Sequence, residues 1–155
     1  MARGINAYPP QVEQPRYNML DRRIEQEVIP VVNRHGLGLT VFSSLAQGIL
    51  TGKYNAGIPA GSRAAISNWL DRELTDENIA KVRKLSKLAA ELGITMSQLA
   101  LAWILRLPEI SSAITGATRP EHVLSNIEAA NIGLDADVLA RIEKILANAP
   151  DADRQ

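Results

Sequence analysis

The feature that most constrains the fold of this chain is an alternation between short apolar segments and helical segments. Residues 39–43 and 111–115 are rich in apolar and β-branched side chains and predict buried strands, and residues 11–14 predict a shorter strand. A helical pattern follows each one. Intervals of this length are typical of βα crossovers, so the sequence predicts the α/β class with a parallel sheet. The pattern alone does not separate a barrel from an open sheet.

Capping signals predict where the helices begin and end. Asp21 is a candidate cap for a helix that Gly36 ends and that Pro30 kinks or shortens. The other predicted starts are Thr75, the capping boxes of Thr95 with Gln98 and Thr118 with Glu121, and Asp135. Residues 54–74 lack periodicity and predict a long loop, a type of segment that often acts as a lid. We expect one domain over residues 1–150 and a flexible tail over residues 151–155.

Composition excludes several functional classes. Lysine plus arginine and aspartate plus glutamate number 17 each, so no net charge favours nucleic acid or an acidic membrane. The absence of cysteine excludes disulfides, thiolate metal sites and a cysteine nucleophile, and we predict no metal site. No stretch approaches the roughly 18 apolar residues of a membrane span. We therefore expect a soluble, cytoplasmic protein that binds no nucleic acid.

Residues 48–53 superficially resemble the phosphate-binding loop of nucleotide triphosphatases. That motif requires four residues between its glycines and a Ser or Thr after the lysine. Here three residues separate Gly48 from Gly52, and Tyr54 follows Lys53. We therefore reject this interpretation.

Three segments, one at each predicted strand end, together resemble the aldo-keto reductase family. Residues 14–18 (QPRYN) are similar to its sixth-strand motif, and residues 42–54 (FSSLAQGILTGKY) to its seventh-strand loop. Residues 114–120 (ITGATRP), with Asn126, resemble its eighth-strand phosphate segment. The resemblance is closest to the bacterial and potassium-channel β-subunit branch. It implies the C-terminal part of a TIM (β/α)8 barrel, about three βα units plus an extra C-terminal helix, with the active site at the strand C-termini.

The resemblance implies NADP(H) as the cofactor. Gln14 would bond the nicotinamide carboxamide and Phe42 would stack on its ring, although each alone would be interpreted as structural. The implied pyrophosphate contacts are Ser43, Ser44, Leu45, Ala46 and Gly48, with Lys53 as a point charge. Ser44 stands where the family usually has proline, a departure that would loosen the loop.

The adenosine end of the cofactor is implied to lie at the third strand. Thr118 and Arg119 would hold the 2′-phosphate at a helix N-terminus, and Arg63 from the long loop would reach the same group. The remaining implied contacts are Gly116, His122 and Asn126. His122 stands where glutamine is common in the family, which makes the adenine contacts depart from its pattern.

The catalytic residues of the family have no counterpart in this sequence. The family reduces carbonyls with a tyrosine acid whose pKa a lysine lowers, and an aspartate and a histidine assist, all from the second to fourth strands. The predicted function is therefore NADP(H)-dependent carbonyl or aldehyde reduction, represented by the cofactor-binding part and inactive alone. A nonenzymatic, cofactor-responsive regulatory subunit and an inactive remnant stay open. The expected partners are the nicotinamide cofactor and either the N-terminal half of a barrel or a second copy.

Overall fold

The structure, a computed structural model, describes residues 8–70 and 72–150. Strands and helices alternate along it. The strands are β1 (Val12–Glu13), β2 (Gly38–Val41) and β3 (Ile110–Ala113). The helices are α1 (Ile24–Glu27), α2 (Ile29–His35), α3 (Arg63–Ile66), α4 (Asp76–Glu91), α5 (Met96–Leu105), α6 (Pro120–Glu128) and α7 (Ala136–Leu146). The predicted tail, residues 151–155, lies outside the described residues.

The three strands form one parallel sheet in the order β1-β2-β3. The α/β class and the parallel sheet are therefore as predicted. An irregularity in the β2–β3 register lies between Leu39 and Thr40. A bridge between Arg16 and Phe42 continues the pairing beyond the ends of β1 and β2. Because the strands are parallel, their C-terminal ends meet at one edge of the sheet, where the predicted site residues follow.

Three predicted helix starts are confirmed by their caps. The Thr75 hydroxyl accepts a hydrogen bond from the Asn78 N–H, and the Asp135 carboxylate accepts one from the Val138 N–H. Thr95 and Gln98 form the reciprocal capping box at the start of α5. These bonds satisfy N–H groups that a helix N-terminus otherwise leaves without partners.

The predicted Asp21 cap is wrong. The first helix begins after Arg23, and no side chain caps it. Asp21 instead receives two hydrogen bonds from the Arg23 guanidinium, and its main chain pairs with Asn18. The expected effect of Pro30 is confirmed, because the helix breaks at Val28 and Pro30 lies in the first turn of α2.

The predicted capping box at Thr118 is also wrong. Helix α6 begins at Pro120, and Arg119 is its N-cap residue in an extended conformation without a side-chain cap. The physical reason is the proline, which favours the first helical position and holds the residue before it in extended backbone. The long loop also has more structure than expected, since α3 and a 3₁₀ turn at Asn68–Leu70 lie within it.

The core lies between the sheet and α5. Nearly every side chain of α5 from Gln98 to Ile104 is buried, so the helix is covered on all sides. Trp103 is fully buried and stacks on Tyr17 with ring centroids 5.4 Å apart. Helix α4 packs against both α5 and α7. Within the described part of the chain, no single helix has the length and hydropathy of a membrane span; α4 and α5 reach them only as a pair bent by 92°.

A charged cluster, which we call the Glu25 network, joins the segment after β1 to the helices. Glu25 accepts hydrogen bonds from the Tyr17 hydroxyl at 2.5 Å, from Arg22 at 2.8 Å and from Arg106 at 3.2 Å. Arg22 is only 7% exposed and also bonds Glu143. Burial opposes the charge on Glu25, but the hydrogen bonds from Arg22 and Tyr17 outweigh it and lower its pKa. Burial raises the pKa of Tyr17.

Candidate functional site

A groove of about 1020 Å³ lies at the C-terminal ends of β2 and β3. It collects most of the predicted cofactor-binding residues from three separate segments of the chain. Those that line it are Phe42, Ser43, Ser44, Leu45, Gly48, Lys53, Arg63, Gly116, Thr118, His122 and Asn126. None of the described residues that line it is an aspartate or glutamate. A chain with no net charge therefore presents a locally cationic groove.

The β2 loop (residues 42–54) has an unusual backbone where it borders the groove. Ser43, Ala46 and Gln47 have φ values of 57°, 46° and 55°, and Gly48 has a φ of 103°. Left-handed backbone is uncommon for residues with a Cβ atom, and it persists only where the surroundings fix it. Main-chain hydrogen bonds from Ala46 N to Ser43 O and from Gly48 N to Leu45 O close the turns.

Phe42 and Ser43 present different groups to the groove. The Phe42 ring is 43% exposed, which is unusual for a phenylalanine at the end of a central strand. The Ser43 hydroxyl oxygen is shielded from solvent and has no hydrogen-bond partner among the described residues. A buried polar atom of this kind normally has a partner, so Ser43 has hydrogen-bonding capacity available to a ligand.

Ser44 does not loosen the loop. Its side chain is buried, and its hydroxyl donates to the Ile114 carbonyl at 3.0 Å. The Ile114 N–H in turn donates to the Val41 carbonyl. The expectation from the missing proline is therefore wrong, because the serine ties the end of β2 to the end of β3. The same bond engages the hydroxyl proton that we had expected to face the pyrophosphate.

Lys53 reaches back over the β2 loop. A Cβ atom built on Gly48 would lie 2.8 Å from Lys53 Nζ, so the ammonium group rests against the main chain of this glycine. The same ammonium lies 5.0 Å from the ring centroid of Tyr54. The absence of a side chain at Gly48 therefore lets the positive charge approach the backbone that borders the groove.

Arg63 connects the long loop to the β2 loop. Its Nη1 donates to Gln47 Oε1 at 3.4 Å, at the start of α3. Trp69 also lines the groove and is 78% exposed. The long loop thus contributes a cation and an aromatic ring to one wall of the groove, and its role as a lid stays a prediction.

The β3 loop (residues 114–119) forms the opposite wall and is more exposed. Gly116, Thr118 and His122 line the groove and are exposed, while Asn126 is half-buried. Arg119 does not line the groove. Arg63 therefore lines the groove and Arg119 does not, and the predicted contact of both with one phosphate stays a prediction.

Two further predicted residues lie away from the groove. Gln14 is exposed just beyond β1, the strand at the edge of the described sheet. Ala46 is fully buried, and its left-handed backbone forms part of the turn in the β2 loop. Their predicted contacts with a cofactor stay predictions.

Several lining residues were missed by the sequence prediction. They are Arg16, Gln47, Thr51, Thr95, Ser97, Ile114, Thr115, Ala117 and Ser125. Arg16 belongs to the QPRYN segment, and it is paired with Glu73 and Asp21. Thr95 and Ser97 lie at the start of α5, and only the tertiary packing brings that helix N-terminus to the groove.

The described residues supply neither a metal site nor a tyrosine to the groove. No group of three or more metal-binding side chains occurs among them. Tyr17 belongs to the Glu25 network, and Tyr54 is buried with its hydroxyl accepting from the Ala64 N–H. Neither lines the groove, so neither is placed to donate a proton there.

Comparison with known proteins places the chain in a group of similar sequences. The family model described as the aldo/keto reductase family matches residues 4–147. A probable voltage-gated potassium channel subunit beta of Arabidopsis thaliana is 45% identical, over 91% of this chain and 45% of that protein. One of Oryza sativa subsp. japonica is 41% identical, over 97% of this chain and 48% of that protein. A putative one of Schizosaccharomyces pombe is 39% identical over 97% of this chain and 46% of its own length. The chain thus spans about half the length of these relatives.

Proposed function

Because the chain belongs to the aldo/keto reductase family, we propose that it is the NADP(H)-binding part of a carbonyl reductase. The observation that carries this proposal is the groove, which gathers the shielded Ser43 hydroxyl, the cations Lys53 and Arg63 and the exposed Phe42 ring at the strand C-termini. In parallel α/β proteins this edge is where ligands bind. We further propose that β1, β2 and β3 are the sixth to eighth strands of a (β/α)8 barrel.

The residues of the groove fit a dinucleotide. The Ser43 hydroxyl can donate to a carboxamide or phosphate oxygen, and its oxygen can accept from the carboxamide N–H. Gly48 leaves room for Lys53 beside the main chain, and Arg63 adds a guanidinium that can pair with phosphate oxygens. Since no carboxylate among the described lining residues opposes them, these cations favour an anionic ligand.

Each wall of the groove has a separate task in this proposal. Phe42 offers a ring face on which a nicotinamide can stack, which leaves the other face of the nicotinamide open. Lys53 and Arg63 hold the phosphates, and the long loop with Trp69 excludes water from that side. A bound nicotinamide cofactor supplies hydride to a carbonyl carbon. The chain's own residues bind and orient that cofactor.

The described residues that line the groove do not include a tyrosine, the acid with which the family protonates the carbonyl. A positioned proton donor contributes roughly 10²- to 10⁴-fold to such a reaction. Tyr17 does not line the groove, and burial raises the pKa of its hydroxyl, which donates to Glu25. We therefore propose that the acid comes from a separate part of the barrel, which the relatives' greater length can supply.

Cofactor titration tests the binding proposal. NADPH added to the 155-residue chain should show a fluorescence change that saturates, and Lys53→Met should weaken binding by roughly tenfold. Lys84→Met is the matched control, because Lys84 is exposed on α4 and does not line the groove. Equal losses in the two variants, or no saturable binding by the wild-type chain, would contradict the proposal.

NADPH oxidation with nitrobenzaldehyde tests the proposed division of labour. We expect no turnover by the chain alone and measurable turnover when the N-terminal half of a related family member is added. Turnover by the chain alone would show that a proton donor is present, and Tyr17 or Tyr54 would then need reassessment.

A nonenzymatic regulatory role is the second candidate. Its support is that the similar proteins are named as subunits of potassium channels. A chain in this role would bind NADP(H) in the same groove and use cofactor occupancy to change its affinity for a partner. Persistent lack of turnover with the complementing half, combined with tight NADPH binding, would favour this role over the reductase.

A further inference from the structure

We infer that Asn18 is a positioning residue that holds the turn after β2 and thereby presents Phe42 and Ser43 to a nicotinamide. Asn18 lies outside the groove, and it is fully buried. The inference rests on the proposed function for the identity of the ligand. Its structural part rests on hydrogen bonds that do not involve any ligand.

The Asn18 side chain makes three hydrogen bonds, which join it to two parts of the chain. Its Oδ1 accepts from the N–H groups of Leu20 and Asp21, at 2.9 Å and 3.1 Å. These bonds form a turn that fixes the side-chain amide after β1. Its Nδ2 then donates to the Ser43 carbonyl at 3.1 Å, so one amide joins the ends of two neighbouring strands.

The Ser43 carbonyl is the point on which the turn depends. It accepts from Asn18 Nδ2 and also from the Ala46 N–H at 2.8 Å, the bond that closes the turn. Ser43 itself has a φ of 57°, a conformation that costs free energy for a residue with a Cβ atom. The buried amide stabilises the carbonyl orientation that goes with this backbone.

Main-chain hydrogen bonds also hold Phe42 against the segment that precedes Asn18. The Tyr17 N–H donates to the Phe42 carbonyl at 3.2 Å, and the Phe42 N–H donates to the Pro15 carbonyl at 3.1 Å. Phe42 is therefore held by the main chain of residues 15–17, and Ser43 is held by the side chain of Asn18, the residue that follows them. Loss of the Asn18 amide should release the turn while these main-chain bonds and the strand pairing persist.

Two variants remove the bond to Ser43 and retain an acceptor for the turn after β1. Asn18→Ser keeps a short hydroxyl that can accept from Leu20 or Asp21 but cannot span the distance to the Ser43 carbonyl. Asn18→Asp keeps the shape and the acceptor oxygen but has no N–H to donate. Asn148→Ser and Asn148→Asp are matched controls, because Asn148 Nδ2 donates to the Met19 carbonyl at 2.9 Å without reaching the β2 loop.

Hydrogen exchange of the Ala46 amide tests the structural part. Loss of one net hydrogen bond should accelerate exchange at Ala46 by roughly two- to tenfold in both Asn18 variants. The Asn148 variants should leave this rate unchanged. Equal rates in wild type and Asn18→Ser would overturn the inference, because the turn would then hold without the amide.

Two ligands separate positioning from a general loss of structure. NADP⁺ carries the nicotinamide, whereas adenosine 2′,5′-bisphosphate has only the adenosine end. Asn18→Ser should weaken NADP⁺ binding by roughly two- to tenfold and leave the bisphosphate unchanged. Equal weakening of both ligands would overturn the positioning role. If the wild-type chain binds neither ligand, the proposed function fails, and exchange at Ala46 still decides whether Asn18 holds the turn.

Discussion

The two loops that wall the groove differ in how firmly the fold holds them. The β2 loop is joined to the segment after β1 by Asn18, to the first residue of the β3 loop by Ser44 and to the long loop by Arg63. The β3 loop is exposed throughout, and the helix that follows it, α6, has no buried residue among those described. The sequence predicts a phosphate contact in both loops. Neighbouring elements therefore cover the motif of the β2 loop, whereas they leave that of the β3 loop exposed.

The reason for the difference lies in the sheet. Strand β2 is central in the described sheet, so each of its ends has a neighbour on both sides, whereas β3 is an edge strand. Helix α6 leaves Leu124 66% exposed and Ile127 62% exposed. An amphipathic helix with an uncovered apolar face is typical of a surface that packs against another element.

The largest effect is expected on the free energy of unfolding, when the Glu25 network is disrupted. Glu25→Ala leaves Arg22 and Arg106 without their shared carboxylate, and removing one partner of a buried charge cluster costs about 3 kcal/mol or more. Glu91→Ala is the control, because its pair with Arg141 is solvent-exposed and contributes less than about 1 kcal/mol. Urea unfolding measures both free energies. Equal losses would mean that the Glu25 network does not stabilise the fold.

The second prediction compares the arginines of the two walls. Arg63→Ala should weaken NADPH binding by roughly tenfold or more and leave NADH almost unchanged, since a charge-assisted hydrogen bond to the 2′-phosphate is lost. Arg119→Ala should have the smaller effect, because Arg119 does not line the groove. Parallel titrations with both cofactors decide this. A larger loss at Arg119 would indicate that the β3 loop closes on the ligand.

The third prediction concerns acid stability. The bonds from Arg22 and Tyr17 hold the pKa of Glu25 below its ordinary value of 4.5 despite burial. Such a group stabilises the fold above the unfolded-state pKa, and this contribution disappears as the pH falls through the lower folded-state pKa. The urea midpoint of the wild type should therefore fall on acidification below about pH 4.5. Glu25→Gln should flatten that fall; an unchanged slope would exclude Glu25 as its source.

The smallest effect on stability is expected at the exposed apolar face of α6. Leu124→Ser should reduce concentration-dependent self-association, because it removes apolar surface from the exposed face of α6. Its effect on unfolding should stay within about 0.5 kcal/mol. Val31→Ser, at another half-exposed apolar position on α2, is the control. Sedimentation over a concentration series measures the change. A wild-type chain that stays monomeric would contradict the prediction that this face mediates self-association.

Local signals predicted the elements better than they predicted the site. Thr75, Thr95 and Asp135 cap helices as expected, because a cap depends on residues within one turn. Thr118 failed for an equally local reason, since Pro120 takes the first helical position. The contacts of Thr95 and Ser97 with the groove had no local signal, because they depend on where α5 packs.

The sequence by itself determined the α/β class, the parallel strands and the family, because apolar periodicity, capping residues and motif spacing are written along the chain. Only the tertiary structure decided which predicted residues meet. Phe42, Lys53 and Arg63 share a groove, whereas Gln14 and Arg119 do not line it. It also showed that Ser44 links the ends of two strands, where the sequence predicted a looser loop. Distances between residues far apart in sequence depend on how sheet and helices pack, and no local pattern encodes them.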